Sequence, residues 1–171
     1  MDATLIVDGY NVINAWPVLI KLKEESLDHA RDKLNDMMAG HGAFKGYEIV
    51  VVYDAHFSSA TEAVEEDRGG VTVVYTGQGQ TADSYIERLA YNLVRQRRTV
   101  YVVTSDWAEQ LTILGAGAYR ISASELYREL QANAKQQQRY TDNPLTYKRN
   151  EVGSRVNSTV AKKLDELRRS R

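Results

Sequence analysis

Apolar, mostly β-branched residues recur along the chain in short unbroken runs, among them Leu5-Ile6-Val7, Ile49-Val50-Val51-Val52, Val71 to Thr76 and Val100 to Val103. Runs this short and this uniformly apolar read as strands buried on both faces of a parallel sheet. They predict strands at residues 4–8, 48–53, 71–76 and 99–104, with a brief fifth at Tyr119-Arg120-Ile121. Between them the spacing turns helical. A helical stretch is expected from near Pro17, and Ser26 reads as the N-cap of a second helix whose Leu27, Ala30, Leu34, Met37 and Met38 share one face. That helix is expected to stop in the glycine-rich Gly40-His41-Gly42. Thr81 caps a third, with Ile86, Leu89, Ala90, Leu93 and Val94 on its apolar face and Arg95, Arg97 and Arg98 in its last turn, where the helix dipole favours cations. A short helix ends near Gly115, and Ser122-Ala123-Ser124-Glu125 is a capping box that opens a helix reaching Gln138. The segment from Phe57 to Gly70 is polar, acidic and without period, and is expected to be an exposed loop. Asn143-Pro144 breaks the chain before a last helix around Val160, Leu164 and Leu167. Strands alternating with helices give an α/β domain with a parallel sheet and right-handed crossovers.

Composition narrows the class. With 171 residues, 43% of them hydrophobic, one core and one main domain are the natural expectation. The chain has no cysteine, which removes disulfides and thiolate metal sites and gives no argument for export. The first residues enter a strand without a basic segment followed by an apolar one, so no signal peptide is expected. No apolar stretch is long enough to span a bilayer. A cytoplasmic protein with no membrane partner and no small-molecule cofactor is the expectation. Charge is unevenly placed: residues 1–130 carry 12 Lys/Arg against 19 Asp/Glu, and residues 131–171 carry 10 against 4. An acidic domain over 1–130 with a basic helical extension over 131–171 fits contact with a polyanion, and equally fits a solvated terminal helix.

Four aspartates sit where an apolar run stops or at the mouth of the helix after it: Asp8, Asp54, Asp83 and Asp106. Parallel strands all end on one side of a sheet, and ligands bind beyond those ends. Carboxylates gathered there repel one another unless protons or a divalent cation neutralise them. The pattern therefore points to a magnesium- or manganese-dependent site that cleaves phosphodiesters. Asn11, Thr81, Thr104 and Ser105 add oxygen atoms at the same edge, and Glu87 lies one helical turn after Asp83. Each acid also has a structural reading. Asp8 or Asp54 could sit in a turn, Asp83 could answer the helix dipole, Asp106 could cap a helix, and Glu87 could pair with Arg88 or Arg95.

Asp8-Gly9-Tyr10-Asn11, Asp54-Ala55-His56, Thr81-Ala82-Asp83 with Ile86-Glu87, and Thr104-Ser105-Asp106 together resemble the NYN domains of the PIN-like nuclease superfamily, in particular their bacterial YacP-like branch. The resemblance runs from Leu5 to Arg128 and more loosely into the basic tail. It implies a Rossmann-like PIN fold and a metal-dependent endoribonuclease acting on mRNA in association with the ribosome. It also implies that Asp8, Asp54, Asp83 and Asp106 form the acidic site, with Asn11 and Ser105 in support. Magnesium is held by one or two carboxylates together with substrate phosphate. Asp8 and Asp106, flanking the two most central strands, are the expected direct or water-mediated ligands, with Asp83 holding the same or a second ion and Asp54 orienting the attacking water or bracing the ligands from behind. Hydrolysis of that kind leaves 5′-phosphate and 3′-hydroxyl ends. In the tail, Lys148-Arg149 and Lys162-Lys163 are candidate RNA contacts, with Tyr140 and Tyr147 interleaved among basic residues.

Other motifs carry less. Gly115-Ala116-Gly117 lacks a third glycine, and Gly77-Gln78-Gly79 lacks the Gly-Lys pair of a phosphate loop. Trp107 could stack on a base, while Trp16 and Trp107 both suit packing beside a strand end. A phosphoacceptor domain would need a pair of acids after the first strand, and a haloacid-type phosphatase an aspartate at the position of Tyr10; neither is present. The rival that stays is a non-catalytic RNA- or ribosome-binding module that keeps the acidic edge and binds through the tail.

Overall fold

Valine and isoleucine favour the pleated, buried surface of a sheet, and their runs become six strands in a computed structural model that describes residues 3–55, 59–105 and 112–141. The strands are β1 (Ala3–Asp8), β2 (Glu48–Tyr53), β3 (Val64–Asp67), β4 (Val71–Tyr75), β5 (Thr99–Val103) and β6 (Tyr119–Ile121). They lie in the order β3-β4-β2-β1-β5-β6, and every pairing is parallel except β3 with β4. The helices are α1 (Gly9–Ala15), α2 (Pro17–Glu25), α3 (Leu27–Lys45), α4 (Ala82–Arg95) and α5 (Ala123–Thr141). Residues 112–115 add one helical turn before β6. This is the α/β architecture the periodicity predicts. By contact the chain divides into two units, Met1–Arg128 and Glu129–Arg171. The sheet belongs to the first.

Alternation along the strands builds two cores. Ile6, Val50, Val52, Val74, Val100 and Val102 pack with Ala82, Ile86 and Ala90 of α4. Their neighbours Leu5, Val7, Ile49, Val51 and Tyr53 are fully buried and face the other side, where Tyr53 reaches α3. The chain steps from β1 outward to β2 and β4, then returns through α4 to the opposite side of β1 for β5 and β6. The strand order thus reverses between β1 and β5, and the crevice beyond their carboxyl ends is where an open α/β sheet receives its ligand.

The local signals hold where they are local. Ser26 Oγ accepts from the His29 amide at 3.3 Å, Thr81 Oγ1 from the Ser84 amide at 3.2 Å, and Ser122 exchanges bonds with Glu125 at 2.8 and 3.1 Å. Four expectations need correction. The helix expected to stop at residues 40–42 runs on to Lys45 and ends at Gly46, whose φ of 70° is the left-handed cap. Gly42 lies inside it because a Cβ there would stand 2.6 Å from Ile49 Cγ1 and 3.0 Å from the Tyr47 carbonyl oxygen. The expected loop after Phe57 contains β3, an edge strand paired to β4 from Val64 to Asp67. A helix absent from the expectation, α1, follows directly on β1. Arg97 and Arg98 lie past the end of α4, Arg97 with φ 61° and Arg98 paired with Glu48. No helix among the described residues is long and apolar enough to cross a membrane.

Candidate active site

Asp8 is both the last residue of β1 and the N-cap of α1. Its Oδ1 accepts the Asn11 amide at 3.4 Å, which fixes the carboxylate at the carboxyl end of the central strand. The chain must turn at once from strand to helix here, and Gly9 makes that possible: a Cβ on it would fall 2.3 Å from Cε1 of Tyr53. Asn11 Oδ1, in the first turn of α1, is buried without a hydrogen-bond partner among the described residues. A buried amide oxygen with no partner is costly in a finished protein and marks a place for water, a cation or a substrate donor.

Asp54 follows β2, the neighbour of β1, two residues beyond Val52, which pairs with Asp8. Its backbone is braced from β4. The Thr76 amide donates to the Tyr53 carbonyl at 3.1 Å, and the Ala55 amide donates to Thr76 Oγ1 at 3.0 Å. Buried Thr76 therefore holds the ladder together past the last strand residue on both sides of Asp54. On the other flank of β1, buried Thr104 continues the β5–β6 ladder: its amide donates to the Ile121 carbonyl at 3.2 Å and its carbonyl accepts from Arg120 Nε at 3.2 Å. Ser105 after it is exposed. Asp83 is exposed in the first turn of α4, two residues after the capping Thr81, and Glu87 is exposed one turn further on. Neither Glu87 nor Arg88 forms an ion pair among the described residues.

Asp8, Asp54 and the Thr104-Ser105 step thus stand on three adjacent strands at one edge, and Asp83 stands on the helix that follows the next strand out. Among the described residues, no three of His, Cys, Asp and Glu come close enough to share a metal ion. Asp106, Trp107 and His56 lie outside the described residues, as do Lys148, Arg149, Lys162, Lys163 and Tyr147 in the tail. Trp16 is not a stacking surface. It is 1% exposed, donates Nε1 to the Ala123 carbonyl at 2.8 Å and packs on Tyr127.

Beneath the acidic edge, on the α3 side, lies a layer of aromatic rings that the sequence pattern did not reveal. Tyr53 has Tyr10 on one flank with centroids 5.2 Å apart and Tyr75 on the other at 5.7 Å. Tyr53 Oη donates to Asn35 Oδ1 at 2.9 Å, and Arg31 Nη1 donates to Tyr10 Oη at 2.8 Å while its Nη2 pairs with Asp28. Burial pushes the Tyr53 and Tyr75 phenols up, so both remain neutral hydrogen-bonding groups. The only trace in the sequence is that both strands end in tyrosine, at Tyr53 and Tyr75, after a run of valines.

Known proteins share this frame. A model of the YacP-like NYN domain matches residues 5–169. YacP of Bacillus subtilis (strain 168) is 43% identical over 127 residues, 74% of each chain. A crystal structure of Rae1 (YacP) from Bacillus subtilis superposes with a TM-score of 0.70 at 37% identity, covering 99% of this chain and 95% of that one. A point mutant of the same protein gives a TM-score of 0.69 at 39% identity over 83% and 84%. The chain belongs to the YacP-like NYN domain family, whose fold is of nuclease type.

Proposed function

We propose that this chain is a divalent-metal-dependent endoribonuclease whose substrate is RNA, with mRNA at the ribosome as the setting in which it works. The observation that carries the reading is at the end of β1. There a carboxylate fixed as a helix cap is followed three residues later by Asn11, whose buried amide oxygen has no partner among the described residues, next to the crevice where the strand order reverses. Family membership supports the same reading, since NYN and PIN-like nuclease domains generally use divalent metals.

The donors suit a hard cation. Among the described residues, this edge offers side-chain oxygens from Asp8, Asp54, Asn11, Thr104 and Ser105, with Asp83 on the adjoining helix. Magnesium and manganese take such ligands and need only one or two protein carboxylates. Asp8 would hold the ion with Asp106, Asp83 would hold it or a second one, and Asp54 would orient the attacking water. When bound, the ion lowers the pKa of water and offsets charge on the phosphoryl oxygens. The protein's own part is placement: the Asp8 cap, the Thr76 brace around Asp54 and the tyrosine layer below them hold the edge rigid. The basic tail, through Lys148, Arg149, Lys162 and Lys163, would bring the phosphate backbone to an edge that alone would repel it.

The basic residues gathered in the tail, 10 Lys/Arg against 4 Asp/Glu over residues 131–171, also suit a second reading, a binding module that leaves RNA intact. One experiment separates them. Translated and untranslated mRNA are incubated with wild-type protein and with Asp8→Asn, with and without magnesium. Cleavage by wild type alone, and only with the metal, is expected, and faster on translated mRNA. Intact RNA in every lane would establish the binding module, and equal cleavage by Asp8→Asn would remove the acidic edge from the reaction.

A further inference from the structure

A groove of about 660 Å³ runs along the outer face of α4, lined by Ser84, Glu87, Arg88 and Tyr91 and closed on its far side by Thr112 and Gly115 of the chain leading into β6. This volume lies inside the range of about 300–1,000 Å³ typical of sites for small ligands. Its upper end, Ser84, is the residue after Asp83. From Ser84 to Tyr91 the helix descends about 10 Å from the acidic edge.

The lining is unusual for the solvent face of a helix. Tyr91 is 49% exposed, yet its ring is held in place: the Arg95 guanidinium carbon lies 5.6 Å from the ring centroid, and Arg95 Nη1 donates to Tyr91 Oη at 3.5 Å. An exposed aromatic ring pinned by a cation is a surface prepared for stacking. Arg88 adds positive charge, Glu87 an acceptor and Ser84 a hydroxyl on the same stripe. The opposite wall is low because of its residue types. Among the described residues nothing lies within 4 Å of where a Cβ on Gly115 would be.

We infer that this groove is a nucleotide subsite: it takes one base of the single-stranded RNA that runs past the acidic edge, stacking it on Tyr91, with Arg88 on the adjoining phosphate. Glu87 faces the polar edge of the base, and Ser84 Oγ, whose own proton goes to the Thr81 carbonyl at 3.1 Å, accepts from a ribose hydroxyl. A flat aromatic surface accepts any base, and Glu87 accepts a hydrogen bond from an amino or imino group, which every base presents. The choice of RNA rests on the nuclease reading; the groove and its lining do not.

The test uses the full chain carrying Asp8→Asn, so that no turnover intrudes, and an eight-nucleotide single-stranded RNA with 4-thiouridine placed at successive positions. Irradiation followed by peptide mapping is expected to crosslink one position to the peptide containing Tyr91. Tyr91→Ala should weaken binding about tenfold, the loss of one base stack, and Tyr91→Phe should not. Gly115→Leu, which adds bulk into open space without a strained φ, should weaken it as Tyr91→Ala does while leaving the melting temperature unchanged. Alanine at Tyr119, an exposed tyrosine away from the groove, should change nothing. Undiminished binding by both Tyr91→Ala and Gly115→Leu, or crosslinks confined to other peptides, would overturn the subsite. Cleavage by the protein with native Asp8 is then scored separately. Cleavage with groove-independent binding overturns the subsite alone, and groove-dependent binding with no cleavage in any divalent metal overturns the nuclease reading alone.

Discussion

The backbone amide of Asn11 donates to the carboxylate of Asp8 at 3.4 Å, while the side-chain oxygen of the same asparagine is buried with no partner among the described residues. One residue thus holds the acid with its main chain and carries a buried oxygen in the same first turn of α1. The arrangement separates two roles for Asp8 that substitution can tell apart. Asparagine caps a helix about as well as aspartate does, so Asp8→Asn should keep the fold and lose only charge. Cleavage is expected to vanish, and the melting temperature without metal to stay level or rise as repulsion at the edge falls. Asp8→Ala removes the cap as well and should cost a further 0.5–2 kcal/mol or about that much in chemical denaturation. Asp106→Asn is expected to abolish cleavage in the same way. Full activity in either Asn variant would remove that residue from the reaction, and unfolding of both would make them structural.

Gly9 and Tyr53 compete for one volume. A methyl on Gly9 would stand 2.3 Å from the Tyr53 ring, which is itself held by Asn35 and stacked against Tyr75. Gly9→Ala should destabilise the protein by about 1–3 kcal/mol, the range for overpacking a filled core. The penalty should shrink in a Tyr53→Val background, where the space opens, so a double-mutant cycle by denaturant titration measures the clash directly. Additive effects would show that Gly9 is needed for its backbone and not for the ring.

What could be read in the sequence was what local chemistry dictates. The central strands, the caps at Ser26 and Thr81, the Ser122–Glu125 box and the gathering of strand ends at one edge all follow from runs of a few residues. The pieces that escaped depend on partners distant in sequence. In α1 the capping residue is also the last residue of β1, so no separate start signal exists. In β3, Val64-Glu65-Glu66-Asp67 lacks apolar alternation because it is an edge strand, held by its ladder to β4. Gly42 looks like a helix stop, but its missing side chain serves the approach of Ile49. The tyrosine layer and the Thr76 brace join β1, β2, β4 and α3, and no window along the chain contains them all.

Metal binding is tested without reference to activity. A ligand that binds only the native state stabilises it by mass action, about 2.7 kcal/mol at a hundred times its dissociation constant. Magnesium or manganese should therefore raise the melting temperature with concentration in the wild type and not in the Asp8→Asn/Asp106→Asn double variant. An equal rise in both proteins would place the ion elsewhere.

Acid stability has one assigned contributor in the box that opens α5. The Ser122 amide, donating to Glu125 Oε2 at 2.8 Å, holds that carboxylate below its ordinary range. A carboxylate whose pKa is lower in the folded state contributes stability above its unfolded value, and the contribution is lost as pH falls through the folded value. Thermal unfolding between pH 7 and pH 3, or about those limits, should show a shallower acid limb for Glu125→Gln than for the wild type, with little difference below both pKa values. Because Glu125 is exposed, the effect should be small. Identical pH profiles would show that the box contributes geometry without electrostatic stabilisation.

The tail carries the last expectation. Residues 131–171 hold 10 of the 22 basic residues, with Lys148-Arg149, Lys162-Lys163 and Arg168-Arg169 in pairs, while the edge that would cut is acidic. An acidic edge repels a phosphate backbone, so another surface must supply the attraction, and lysine and arginine supply it by releasing counterions. Neutralising Lys148, Arg149, Lys162 and Lys163 together should weaken RNA or ribosome association and flatten its dependence on salt, since the slope scales with the number of phosphates neutralised. Metal-dependent cleavage of a short RNA at saturating enzyme should survive, because the acidic edge is untouched. Filter binding or sedimentation across a salt series reads both effects. Unchanged binding at every ionic strength would leave those residues as solvating charge and move the docking surface to the arginines around the end of α4, Arg95, Arg97 and Arg98. Of these, Arg95 already braces Tyr91 and Arg98 is paired with Glu48, which makes Arg97 the first to test.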